Sequence, residues 1–259
     1  MAPDSLVEQR RPHDTAADEW DVRVKVAAAY RLVDHFGWTE QIYGHLTARV
    51  PGPEHHFLIN PWGLDYAEVT ASNLVKIDMD GNVVGGDHPV NFAGFIIHSA
   101  IHMTKSAENL VVMHTHTRAG MAIAALKEGL LPISMFSTAF HNRIGYHAYE
   151  GASLYEDERE RIVASLGPHK ALILKNHGLL VVGRTVPECF LRLYRLERAC
   201  QIQVDAAAAG TLDLIPDDVA RRSANDLDSY QDMQSKPHGE IEFAALMRKL
   251  DKRDPSYKQ

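Results

Sequence analysis

The stretch VVMHTHTRAG, residues 111–120, decides how the rest of the chain is read. Three apolar residues followed by two histidines one residue apart predict a buried β-strand. Side chains alternate faces along a strand, so His114 and His116 project together with Val112, about 7 Å apart, while Met113 and Thr115 point the other way. The pair alone is a weak signal. With 15 histidines in 259 residues, about one pair at any fixed spacing is expected by chance. Its setting has to carry the argument.

Zinc and iron(II) accept two imidazoles plus a third protein ligand and keep a coordination position open for chemistry. His177, in ALILKNHGLLVVG (171–183), is the candidate third ligand. Apolar runs flank Asn-His-Gly, which predicts a β-hairpin or tight bend able to aim a ring inward. Gly178 tolerates the positive φ such a bend uses. On spacing alone, the strand pair could equally be satisfied by neighbouring backbone.

Outward from these stretches the chain alternates helical and extended patterns. Residues 1–17 are polar without periodicity and read as a flexible tail. From Asp18 to Phe36, Val22, Val26, Ala29, Val33 and Phe36 form one helical stripe, and Gly37 supplies the stop. Short β-like runs follow: QIYGHLTARV (41–50), HHFLINP (55–61), NLVKID (73–78) and NVVGG (82–86), the last two joined by the turn signal MDGN. NFAGFIIHSAIHMTKS (91–106) reads as a helix with Phe95, His98 and His102 on one face, and RAGMAIAALKEG (118–129) as a short helix closed by Gly129. Capping boxes at Ser153/Glu156 and Thr185/Glu188 start two further helices. Strands interleaved with helices predict one α/β layered domain over 18–210. Residues 211–259 form a C-terminal extension, polar beyond Pro216 until an amphipathic segment whose stripe (Ile241, Ala244, Ala245, Leu246) needs cover from the domain or a neighbouring subunit.

Composition narrows the function classes. The chain is 45% hydrophobic and 24% charged, enough to bury a sizeable core. A net charge of −7 without a dense Lys/Arg cluster argues against nucleic acid and anionic membrane surfaces as partners. No apolar run approaches the roughly 20 residues of a membrane span, and the N-terminal segment lacks the apolar core of a secretory signal. Cys189 and Cys200, eleven apart in a helical pattern, suggest neither a redox pair nor a disulfide framework. A cytoplasmic protein is expected.

VVMHTHT followed some sixty residues later by ILKNHGLL resembles the class II aldolase/adducin family. Further ordered matches lie in GHLTARV, FLINPWGLDYAEVTASNLVKIDMDGNVV, NFAGFIIHSAIH, GLLPIS and RLYRLERACQIQVDAAAAG, with ALMRKLDKRDPSY similar to the tail of bacterial members. The wording is closer to adducin head domains than to the sugar-phosphate aldolases. The resemblance implies a three-layer α/β/α sandwich around a mostly antiparallel sheet, a homotetramer with metal sites near subunit interfaces, and His114, His116 and His177 as ligands of a divalent metal: zinc first, with iron(II) or manganese as alternatives.

The departures from the aldolases are informative. Those enzymes carry a Ser-Ser-Glu run whose Glu is the catalytic acid/base, and the matching run here is Phe92-Ala93-Gly94. A glycine moves no proton. Where the aldolases cradle a phosphate with small donors, this chain has Gly44-His45, Pro61-Trp62-Gly63 and Phe92-Ala93, with bulky aromatics among them. His45, Trp62, Phe92 and Gly94 are therefore expected to line a pocket for a non-phosphorylated 2-oxo or hydroxy acid, aromatic ones included. Proton transfer then falls to other groups, for which His141, His147 and Tyr149 in FHNRIGYHAYEG (140–151) are the candidates. The expected activity is a metal-dependent carbon–carbon lyase, an aldolase or decarboxylase, working through an enolate that the ion stabilises. The alternatives are a non-heme iron oxygenase on an aromatic 2-oxo acid and a non-catalytic adducin-like binding domain.

Overall fold

The apolar runs flanking Asn-His-Gly become the neighbouring strands β7 (Ala171–Leu174) and β8 (Gly178–Gly183), paired antiparallel with Leu174 opposite Gly178. The computed structural model describes residues 15–104, 106–151 and 155–259, without the side chains of Phe92 and Ala93. Strands β1 (His45–Arg49), β2 (Phe57–Ile59), β3 (Val75–Ile77), β4 (Val83–Gly85), β5 (Val111–Thr115) and β6 (Ile144–His147) complete one sheet in the order β4-β3-β2-β1-β5-β8-β7-β6. Only β6 and β7 run parallel; every other neighbouring pair is antiparallel.

Helices cover both faces, which is why β5, β7 and β8 read as nearly unbroken apolar runs. On one face, Val111 and Met113 of β5 and Leu179 and Val181 of β8 pack into a core with α1 (Ala17–His35) and α6 (Val186–Ala209). On the other, Val112, Leu180 and Val182 meet Ile97 and Ile101 of α2 (Phe92–Met103) and Ile162 and Leu166 of α5 (Glu158–Leu166). The result is a three-layer α/β/α sandwich. Helices α3 (Arg118–Ala125) and α4 (Met135–Thr138) fill the connection between β5 and β6. Among the described residues, no helix is long and apolar enough to cross a membrane.

The expected stripe of α1 is only part of its buried surface. Ala27, Ala28, Tyr30 and Leu32 are also buried, so the helix is covered on most sides. Gly37, at φ +69°, ends it, with its N–H and that of Trp38 donating back to the carbonyls of Asp34 and Val33.

Three local expectations are corrected, and a fourth lies partly outside the described residues. Ser153 of the first capping box lies outside the described residues, as does most of the expected tail; α5 starts at Glu158 after Asp157. Only half of the second box forms: Thr185 Oγ1 accepts from the Glu188 N–H at 3.2 Å, but the Glu188 carboxylate turns to Arg184 and Arg192. The polar stretch after Pro216 contains a helix, α7 (Asp217–Asp232), held by two small residues, Ala220 and Ala224. Helix α8 (Glu240–Arg253) buries a different face from the one expected. Phe243 and Leu250 enter the main core with Leu246 and Met247 against it, while Ile241, Ala244 and Ala245 face outward. The cover for that face comes from this chain's own α1 and α6, and the C-terminal residues are tied down by Ala71 N–H to the Tyr257 carbonyl (2.9 Å).

Candidate metal centre

His114 is the next-to-last residue of β5, on the sheet face covered by α2 and α5, directly opposite His45 of β1 and Leu180 of β8. His116 follows just past the strand end. His177 comes from the β7–β8 turn, fixed by its N–H to the Leu174 carbonyl (3.0 Å) and by Asn176 N–H to the Ala124 carbonyl (3.0 Å). The three rings meet. His116 Nε2 lies 2.7 Å from His114 Nε2 and 3.0 Å from His177 Nε2. Ring centroids are 4.6–4.9 Å apart, closer than the 7 Å expected for a regular strand because His116 has left the ladder.

The turn achieves this differently from what the sequence suggested. The residue with positive φ is Asn176, at +57°, and Gly178 is not among the positive-φ residues. Gly178 is required for closeness: a Cβ there would lie 2.5 Å from the Thr115 carbonyl oxygen and 3.2–3.3 Å from the rings of His116 and His114.

Three features fit the cluster to a cation. His114 Nδ1–H donates to the Leu179 carbonyl oxygen at 2.8 Å, which leaves the Nε2 lone pair facing the other two rings. His116 Nε2 carries one hydrogen at most, so it can hydrogen-bond only one of two close nitrogen neighbours. A shared cation relieves the lone-pair crowding that remains. The Nε2 separations of 2.7 and 3.0 Å lie slightly below the roughly 3.4 Å between two ligands of one tetrahedral ion with bonds of about 2.0–2.1 Å, so a small outward turn of the rings admits one. Protonation does not compete well. Burial, reinforced by the neighbouring histidines, holds His114 well below the ordinary imidazole range and His177 at about 4; burial also lowers His116.

The cluster sits at the floor of a cavity of about 460 Å³, within the usual range for small-molecule sites. His114 is buried, whereas His116 and His177 are half-buried and open to it. Among the described residues, no Lys or Arg lines the cavity; Tyr43, Trp62, Met121 and Tyr149 form its rim. The Tyr43 and Trp62 rings stand edge-to-face with centroids 5.7 Å apart.

Of the pocket residues expected from sequence, His45, Trp62 and Gly94 line the cavity, and the side chain of Phe92 lies outside the described residues. Of the three proton-transfer candidates, Tyr149 reaches the rim, 58% exposed. His141 does not line the cavity: its Nε2 meets Asp217 of α7 at 2.8 Å. His147 is buried away from it, with Ser165 at 3.0 Å and Glu158 at 3.3 Å occupying its two ring nitrogens. The strand pattern of 144–147 turns His147 toward α5, which its sequence neighbours could not reveal.

Sequence reasoning also missed a polar network behind the cavity. Tyr30, fully buried in α1, accepts the N–H groups of Leu46 and Asn60, and its hydroxyl reaches the Leu46 carbonyl (2.7 Å) and Asn60 Oδ1 (2.9 Å). Asn60 Oδ1 in turn faces His45 Nδ1 at 3.5 Å. Further in, Thr47 Oγ1 bridges His98 Nδ1 and His102 Nε2 at 2.7 and 2.8 Å, so the helix histidines pack against β1 rather than into the cavity.

Comparison with known proteins agrees with this architecture. Residues 24–204 match the family model for the class II aldolase and adducin N-terminal domain. The solved structure of an aldolase II superfamily protein from Pseudomonas syringae superposes with a TM-score of 0.87 at 45% identity, covering 95% of this chain and 98% of that one. An L-fuculose 1-phosphate aldolase from Glaciozyma antarctica superposes with a TM-score of 0.79 at 29% identity, covering 98% and 99%. Alpha-adducin of Rattus norvegicus is 44% identical over 89% of this chain, which spans 33% of that longer protein. With its three-layer fold and its matching order of motifs, the chain belongs to the class II aldolase and adducin family.

Proposed function

We propose that the protein is a metal-dependent carbon–carbon lyase acting on a small, non-phosphorylated organic acid, with His114, His116 and His177 holding the ion. The observation that carries this reading is the convergence of three Nε2 atoms on the floor of an open cavity that lacks cationic side chains among its described lining residues. Zinc suits three neutral imidazoles best, with iron(II) or manganese the other candidates. When bound, the ion supplies Lewis acidity to adjacent substrate oxygens and lowers the cost of the enolate left by cleavage or decarboxylation.

The chain's own residues do the rest. The apolar rim of Tyr43, Trp62, Met121 and Tyr149 favours an aromatic or otherwise apolar body over a sugar phosphate, since among the described lining residues a phosphate dianion finds no Lys or Arg. Exposed Tyr43, Met121 and Tyr149 at the mouth support a homo-oligomer, a tetramer by family resemblance. Two reduced, buried cysteines suit a cytoplasmic setting.

The test is a panel of aliphatic and aromatic 2-oxo and hydroxy acids, each with its phosphorylated counterpart where one exists, offered to zinc-loaded protein. Cleavage of an unphosphorylated member is the expected outcome; turnover confined to sugar phosphates contradicts the reading. The identity to alpha-adducin favours a second reading, a binding domain without turnover. Protein that holds no metal and cleaves no member of the panel would support it.

A further inference from the structure

A lyase of this kind must take a proton from the substrate as the carbon–carbon bond breaks and return it to the new enolate carbon. Resting on that reading, we propose that His45 is the catalytic residue that carries this proton. Outside the three converging histidines, the titratable groups lining the cavity among the described residues are His45 and the phenols Tyr43 and Tyr149. A neutral imidazole presents a basic nitrogen lone pair as it stands, whereas a phenol must first lose its own proton.

The geometry of His45 is built rather than incidental. The residue starts β1 directly opposite His114, so its ring stands on the same face of the sheet as the ligand cluster. The ring is seated against the backbone of α2 at the one position that permits it. A Cβ on Gly94 would lie 2.3 Å from His45 Cδ2 and 2.5 Å from its Nε2. Any other residue at 94 would expel the imidazole. Glycine there, which removes a side chain from the helix, is thus the condition for placing a ring from the strand. The ring's tautomer is set as well. Asn60 Oδ1, positioned by buried Tyr30, accepts from Nδ1–H, and the Asn91 amide donates to Nε2 at 3.4 Å on the cavity side. The lone pair therefore faces Asn91 at the cavity wall, and a substrate hydroxyl reaches it by displacing that long amide contact.

The step balances without an oxidant or co-reactant. His45 Nε2 takes the hydroxyl proton of a 4-hydroxy-2-oxo acid, and the O–H electron pair becomes the second bond of a carbonyl. The adjacent carbon–carbon bond breaks, and its pair passes to the 2-oxo fragment as an enolate. The imidazolium then gives the proton to the enolate carbon and ends neutral.

The test uses the full chain loaded with zinc, and pyruvate in D2O, where the same residue must remove a methyl proton. Wild type should exchange the methyl protons, followed by proton NMR. His45→Gln and His45→Phe should slow exchange by about 100-fold or more, while zinc content and pyruvate affinity by calorimetry stay within threefold of wild type. Exchange by His45→Gln within threefold of wild type would overturn the proposal, as would a wild type that holds zinc and binds pyruvate yet exchanges nothing. A wild type that takes up no zinc or binds no pyruvate fails at the lyase reading itself, and the role of His45 falls with it. The seat is read separately: Gly94→Ala should lower the Tm with His45 present and have little effect in a His45→Gly background, and equal losses in both backgrounds would refute it.

Discussion

His177 Nε2 lies 3.0 Å from His116 Nε2 although 61 positions separate them in the chain. One residue of a hairpin turn and one residue beyond a strand end are brought together because β5 and β8 are sheet neighbours, with Thr115 opposite Leu179. The cluster is therefore a consequence of strand register, and disturbing the register should disturb the cluster before it disturbs the core.

Gly178→Ala tests that dependence. Its added methyl meets the Thr115 carbonyl oxygen at 2.5 Å, which neither strand can yield without separating. The expected cost is about 1–3 kcal/mol of stability, together with at least a tenfold loss of zinc affinity as the rings spread. Chemical denaturation and competition against a chelator measure the two effects. An unchanged affinity would show that the turn does not set the ring positions.

Acid should weaken the fold through histidines that are not ligands. Burial, aided by Arg49, holds His102 at about 3, and burial holds His45 at about 4 and His98 well below the ordinary value. Their folded pKa values are depressed, so the unfolded chain binds more protons below about pH 6.5. Stability is full above that pH and falls as pH drops toward 4 and 3, by an amount on the order of several kcal/mol in all. The urea midpoint measured from pH 7 to pH 4 should decline accordingly, and less steeply in His102→Gln. A flat profile contradicts the assignment of these groups as buried and neutral.

The network behind the cavity predicts a stability effect from a single oxygen. Tyr30→Phe leaves the N–H groups of Leu46 and Asn60 without their buried acceptor. That costs about 1–3 kcal/mol per orphaned group, enough to lower the Tm of a chain this size by roughly 5–10 °C. A Tm within 1–2 °C of wild type, far less than one orphaned group should produce, would mean that water replaces the hydroxyl.

Much of this architecture was legible in the chain. The apolar runs of β5, β7 and β8 and the Asn-His-Gly bend announce themselves because buried strands leave little choice of residue. Helix α7 was not legible, since Ala220 and Ala224 are its whole buried contribution and two alanines make no visible stripe. The face of α8 was misread because Ile241 looks like a core residue and is half exposed. Gly178 was noticed for the wrong property, conformational freedom instead of closeness. The pairing of His45 with Gly94 could not be read at all, because a clash between a strand and a helix 49 positions on exists only once both are placed.

His141, in a segment that looked rich in proton-transfer groups, marks the same boundary. Its contact is with Asp217 at the start of α7, a surface pair. His141→Ala should leave zinc content unchanged and cost no more than about 1 kcal/mol, as metal analysis and denaturation will show. Loss of the metal in this variant would place the segment at the site after all.

The most direct measurement of the central claim is the metal content of the protein after equilibrium dialysis against buffered zinc, for wild type and for a His114→Ala/His177→Ala double variant. Three imidazoles sharing one ion predict close to one zinc per chain in wild type and almost none in the variant, with the fold retained in both. A wild type that binds no metal, or a folded variant that keeps it, would contradict the account.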